Sequence, residues 1–213
     1  MSKSIYSLVL SDDVVEAADR LAYELHTSRS ALIDRILAEQ LSCVTPEMRM
    51  QAVFARMEQK VRQFRVLEQT SAHARSLQTQ LDYKYRPTVL YSVELYRTPR
   101  EGEDGRLRVT LRTQNQALIA ALDRFLRLWM ALEERWVPAA AGTVYRIAPG
   151  RLERSIRSGG AKEDVFGERI GGYIRFFDSA LRQWTAALPT GDVSGAAAAI
   201  EASFREHAED EWI

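Results

Sequence analysis

The chain has 213 residues, 46% of them hydrophobic, with 29 basic and 29 acidic side chains and a formal net charge of zero. That length suits one large domain, or a small domain followed by a larger one, and the charge balance removes the overall basic excess common among nucleic-acid binders. A single cysteine, Cys43, excludes an intramolecular disulfide framework and fits a reducing compartment.

The opening MSKSIYSLVL holds no apolar run of signal-peptide length, and nowhere do about 18 apolar residues follow one another. A cytoplasmic protein with no membrane association is expected. Charge is segmented. Residues 1–46 carry four basic and seven acidic groups, whereas residues 97–157 carry twelve arginines against seven acids.

In chain order, Tyr6, Leu8 and Leu10 alternate with Ile5, Ser7 and Val9, a period of two that predicts a strand. Ser11 is placed to cap a helix, with Asp12 and Asp13 in its first turn. Val14, Ala18, Leu21, Ala22 and Leu25 then recur at helical spacing. His26-Thr27 breaks the pattern, and Ser28 can cap a second helix carrying Leu32, Ile33, Ile36, Leu37 and Leu41 on one face. A lone strand has two unpaired edges, and the helices carry more apolar surface than one copy can hide. Two copies pairing their strands would solve both problems, so an obligate homodimer is expected.

The strand YSLVL, the cap SDD and the turn into SRSALI resemble the ribbon-helix-helix family of small DNA-binding domains, over roughly Ser4–Leu41. The resemblance implies a two-stranded ribbon in the DNA major groove. Its base readers would be Ile5, Ser7 and Val9. Phosphate would be held by Lys3 and, at the start of the second helix, by Ser28, Arg29 and Ser30. The family often has glycine where His26 stands, and its readers are usually polar or basic, unlike Ile5 and Val9.

From Glu47 to Tyr85 there is no proline or glycine, and Met50, Val53, Met57, Phe64, Leu67, Ala74 and Leu81 roughly follow a heptad. A helical connector over 46–86 is predicted, with Arg49, Arg56, Lys60, Arg62, Arg65 and Arg75 scattered round it as a solvated face or a phosphate-facing one. Beyond Pro87, TVLYSVELY and RLRVTLRT alternate around the loop REGEDG, which predicts an antiparallel hairpin of Thr88–Tyr96 with Arg106–Thr113. Gln114–Trp136 reads as a strong amphipathic helix, and 142–147 as a short strand. Arg151, Arg154 and Arg157 follow at helical spacing, with Arg146 just upstream. The segments SGG and GG lack the spacing of a phosphate loop. Residues 173–188 and a segment after Asp192 read as the last helices.

The fold class expected is thus mainly α with minor β. It has a ribbon-helix-helix dimer at 1–45, a helical connector at 46–86 and an α+β body with a hairpin at 87–213. His26, His73 and His207 lie far apart in the sequence, and no metal-ligand or nucleophile motif stands out, so no enzyme, cofactor or metal is expected. The leading expectation is a dimeric, sequence-specific binder of double-stranded DNA, a transcriptional repressor of plasmid, phage or bacterial type. Further assembly of dimers, and a protein partner on the C-terminal domain, stay open. The rival is an interaction module using the ribbon only as a dimerisation clasp. A third reading gives nucleic-acid binding to a secondary basic surface of Arg106, Arg108, Arg112, Arg151, Arg154 and Arg157.

Overall fold

The computed structural model describes residues 7–41, 44–67, 71–207 and 212–213. The chain divides into two compact units, Met1–Thr45 and Pro46–Ile213.

In the first unit, α1 (Asp12–Glu24) and α2 (Arg29–Gln40) pack together around Ala22, Leu32 and Ala38. Asp12 and Asp13 sit in the first turn of α1, where the helix dipole favours them. His26 takes a left-handed conformation at φ +49° in the turn between the helices, the position where a glycine would be unstrained. Ser28 caps α2, its hydroxyl accepting from the Ala31 amide at 3.2 Å. Arg29 forms a two-bonded ion pair with Asp19 of α1. Ser28→Ala is expected to cost about 1 kcal/mol of local helix stability, so exchange of the Ala31 amide should quicken about fivefold. Unchanged protection would show that the cap is not formed.

The expected strand is corrected. Ser7–Leu10 carries no ladder partner, and Leu8, Val9 and Leu10 are exposed. Alternation over a few residues becomes a strand only where an edge is available to pair with. The chain opens on three helices among the described residues, so the strand-first order that defines a ribbon-helix-helix domain is not seen. The resemblance is overturned, and with it the ribbon-paired homodimer and the clasp.

The second unit contains α3 (Pro46–Lys60), β1 (Arg65–Val66), β2 (Ala74–Gln80), β3 (Thr88–Arg100), β4 (Glu103–Arg112) and α4 (Gln116–Trp136). After a short 3-10 turn come β5 (Tyr145–Ala148), β6 (Arg151–Ile156), α5 (Glu163–Ala187) and α6 (Val193–Glu206). The strands form one six-stranded antiparallel sheet in the order β1-β2-β3-β4-β6-β5. The fold class is corrected accordingly: a mixed α/β architecture whose hairpin of β3 and β4 lies in the middle of a larger sheet, not in a separate body.

The predicted connector is not one helix. Met50, Val53, Phe54 and Met57 form the buried face of α3, but the chain leaves the helix after Lys60 and returns as β1 and β2. Seven residues of ARSLQTQ pair in register with β3 although only Leu77 among them is fully buried. A neighbouring strand edge decided this segment, not its own weak pattern.

Strand alternation gives the sheet two unlike faces. Leu77, Tyr91, Val109 and Leu152 stand in one cross-strand row and are buried. Tyr91 meets Phe64 and Phe177 edge-on, and Phe177 meets Phe125 and Trp129, so this row faces the helical layer. Tyr91 also donates to Asp178 of α5 at 2.8 Å. Residues of this parity reach the helices elsewhere too: Arg75 bonds Glu58 of α3, Thr79 accepts from Arg182 of α5, and Arg154 bonds Glu133 of α4. The basic residues of α3 are not a free surface, because Arg56 and Lys60 pair with Glu168 and Arg49 with Glu163, both on α5.

Candidate functional site

The other sheet face is built by the residues between those positions. Across the strands, Ser76, Ser92, Arg108, Glu153 and Arg146 form one row. Glu94, Arg106 and Ser155 lie in the row on one side, and Leu90, Thr110, Arg151 and Ala148 in the row on the other. Arg112 pairs with Thr88 further along, and Arg65 pairs with Gln78 at the β1 edge. These paired positions put six arginines (65, 106, 108, 112, 146 and 151) on the face with two glutamates (94 and 153). The arginines range from half-buried to exposed. At about 3.4 Å per residue, Arg106 to Arg112 alone covers roughly 20 Å of strand.

Glu153 is the centre of this face. Its Oε1 accepts from Arg106 at 2.8 Å and lies 3.5 Å from Arg146, while its Oε2 accepts twice from Arg108, at 3.1 and 3.0 Å. Arg106 also donates twice to the Tyr96 hydroxyl, at 3.2 and 3.0 Å. Burial opposes ionisation of Glu153, but the Arg108 hydrogen bonds and the Arg106 charge outweigh it and hold the carboxyl below its ordinary range. The Tyr96 hydrogen bond is the main influence raising Arg106. Three cations on one anion leave this cluster with surplus positive charge. A guanidinium fork matches carboxylate and phosphate groups, so the arrangement can hold an anion.

No protein-family model matches the chain, and no curated protein or solved structure matches it significantly.

Of the predicted secondary basic surface, Arg106, Arg108, Arg112 and Arg151 come together on the open face. Arg154 does not. One residue along β6 from Glu153, it turns to the opposite face and is fully buried against Glu133. Arg157 lies past the strand and donates to the carbonyls of Ala141 and Gly142 at 3.2 and 2.7 Å. The helical spacing of Arg151, Arg154 and Arg157 therefore misled, because this segment is a strand and alternation separates them. Arg146, Glu153 and Tyr96 were left out of the predicted site. The signal for Arg146 and Glu153 was the pair of short alternating segments around Pro149-Gly150, a hairpin that sets the two side by side.

The predicted DNA contacts do not assemble. Lys3 and Ile5 lie outside the described residues. Ser7 and Val9 stand in coil before α1, and Ser30 is an exposed residue of α2. Ser28 is occupied as a cap and Arg29 as an ion-pair partner. With no ribbon among the described residues, the double-stranded DNA and repressor readings lose their basis and are withdrawn.

Among the described residues no group of three His, Cys, Asp or Glu side chains could hold a metal ion. The buried Glu133, Arg154 and Tyr173 form a network in which Glu133 accepts on both oxygens, from Arg154 and from Tyr173. Tyr173 in turn accepts from the Trp129 indole at 2.8 Å. These groups are turned on one another inside the core and read as a clamp between β6, α4 and α5. Among the described residues no helix is long and apolar enough to cross a membrane.

Proposed function

We propose that this chain is a binding protein, not an enzyme, and that its arginine-bearing sheet face holds an acidic, extended segment of a partner protein. The observation that carries this reading is the set of six arginines on one face, against Glu94 and Glu153 within it and Glu101 and Glu103 at its turn end, centred on a carboxylate held by three of the arginines. The groups that converge there are guanidiniums, a glutamate engaged on both oxygens and a tyrosine hydroxyl bonded twice. Such groups, already engaged with one another, suit holding an anion in place. A polypeptide carboxylate is favoured over a single-stranded nucleic acid because the face presents few aromatic rings on which bases could stack. It is also the anion the cluster already accommodates in Glu153. The lone cysteine supports a cytoplasmic setting.

The test is fluorescence anisotropy with a labelled dodecamer of glutamate, alongside a single-stranded oligonucleotide of matched charge. The peptide should bind at low salt and weaken as salt screens the exposed guanidiniums. The double variant Arg112→Glu/Arg151→Glu, at positions exposed to solvent, should lose at least about tenfold in affinity with its far-UV spectrum unchanged. Failure of the peptide to bind, equal binding by the variant, or preference for the oligonucleotide would each overturn the proposal.

A further inference from the structure

The geometry points to Glu153 as a built-in occupant of the anion site, a carboxylate of the chain itself that holds Arg106, Arg108 and Arg146 until a partner's carboxylate replaces it. This rests on the anion-binding reading above and adds how that site is regulated.

A glutamate that merely balanced charge on an exposed sheet would pair with one neighbour and stay mobile in water. Glu153 differs in three respects. Its side chain is 14% exposed, although it belongs to the solvent-facing parity of β6. Its oxygens are shared among arginines from two flanking strands, Arg106 and Arg108 of β4 and Arg146 of β5. One of those arginines, Arg106, is steadied independently by Tyr96, while Arg108 makes both its bonds to a single oxygen of Glu153. Arg146 is the loose member, 74% exposed and 3.5 Å from the carboxylate.

A recess of about 160 Å³ lies beside this group, lined by Arg106, Arg146, Val144 and Ser155 together with Glu153 itself. Glu101 and Glu103 also line the recess. They give the β3–β4 turn end of the face a negative border, so an acidic chain approaches from the Arg108, Arg151 and Arg112 end. Arg106, held by Tyr96, is the best preorganised donor of the cluster, and Glu153 engages it together with Arg108. While it does, a partner is left with the outer, more mobile arginines. Removing the Glu153 charge frees the inner donors without altering the strands that carry them.

The experiment repeats the glutamate-dodecamer titration with Glu153→Gln and with Glu94→Gln. Both variants remove one negative charge from the same face, but only Glu153 ligates the arginine cluster. Glu153→Gln should bind about tenfold more tightly than the natural chain, and Glu94→Gln no more than about threefold. If Glu153→Gln does not keep the native urea midpoint, Glu153→Ser serves with the same expectation. Unchanged or weaker binding by the Glu153 variant would overturn the inference and leave the binding face standing. Equal tightening by both variants would also overturn it, since bulk charge would then explain the gain. If neither the natural chain nor any variant binds the peptide, the binding face itself is refuted and this inference falls with it.

Discussion

Glu133→Ala is expected to destabilise the second unit by about 3–5 kcal/mol, read as a lowered midpoint in urea with an unchanged slope. Glu133 and Arg154 are both fully buried. Their attraction offsets the cost of taking two charges out of water, and that cost remains for Arg154 when its partner is removed. The alanine variant would leave a buried guanidinium with neutral neighbours, the Ser155 carbonyl at 3.0 Å, the Tyr145 hydroxyl and the face of Tyr173 at 4.6 Å from its centre. Tyr173 would also lose the acceptor for its hydroxyl, which now donates to Glu133 at 3.0 Å. Burial, reinforced by the Glu133 charge, pushes that hydroxyl well above its ordinary pKa, so it stays protonated and needs an acceptor. The double replacement Glu133→Met/Arg154→Met removes both charges and should cost far less than the single one, because no charge is stranded. A loss below about 1 kcal/mol for Glu133→Ala would mean that water reaches the pair.

The same pair shows where sequence patterns stop being informative. Arg154 looks like its neighbours in RLERSIR, yet one position of register separates an exposed anion-facing arginine from a buried one. Only the strand assignment distinguishes them, and the 3-residue spacing of Arg151, Arg154 and Arg157 argued for a helix. The hairpin of Thr88–Tyr96 and Arg106–Thr113 was legible because alternation there is long, β-branched and broken by one polar loop. Arg106, Arg108 and Arg112 were therefore placed on one face from the sequence. Glu153 could not be, since its role depends on β6 lying against β4, a pairing across more than forty residues that no local pattern encodes. The N-terminal strand failed for the converse reason. Its alternation was visible, but an unpaired edge cannot be seen in a sequence, and the partner invoked to fill it was an inference from the pattern alone. The helices on either side of His26 were easier, because their caps and periodicity are contained within each segment.

The glycines of α5 were the least legible part of the second unit, and they support the last prediction. The helix expected over 173–188 begins ten residues earlier, so VFGERIGG lies inside a 25-residue helix. Gly167 and Gly171 are four apart and so share a face, and that face lies against α3. A Cβ added at Gly167 would stand 2.3 Å from the Val53 carbonyl oxygen and 2.8 Å from Arg56 Cβ. One added at Gly171 would stand 2.7 Å from Lys60 Cβ and 3.0 Å from the Met57 carbonyl oxygen. In an exposed helix, glycine to alanine stabilises by about 1 kcal/mol. Here the sign should reverse. The Val53 carbonyl belongs to the backbone of α3, whose Val53, Phe54 and Met57 are locked in the core, so relief requires the whole helix to move. Gly167→Ala is therefore expected to destabilise by about 2–3 kcal/mol, and Gly171→Ala by less, because its closest approach is 2.7 Å rather than 2.3 Å. The separation also carries the ion pairs of Arg56 and Lys60 with Glu168, which would lengthen as the helices part. Urea unfolding of the two variants checks the sign directly. A gain in stability for Gly167→Ala would mean that α3 and α5 are not in backbone contact in solution.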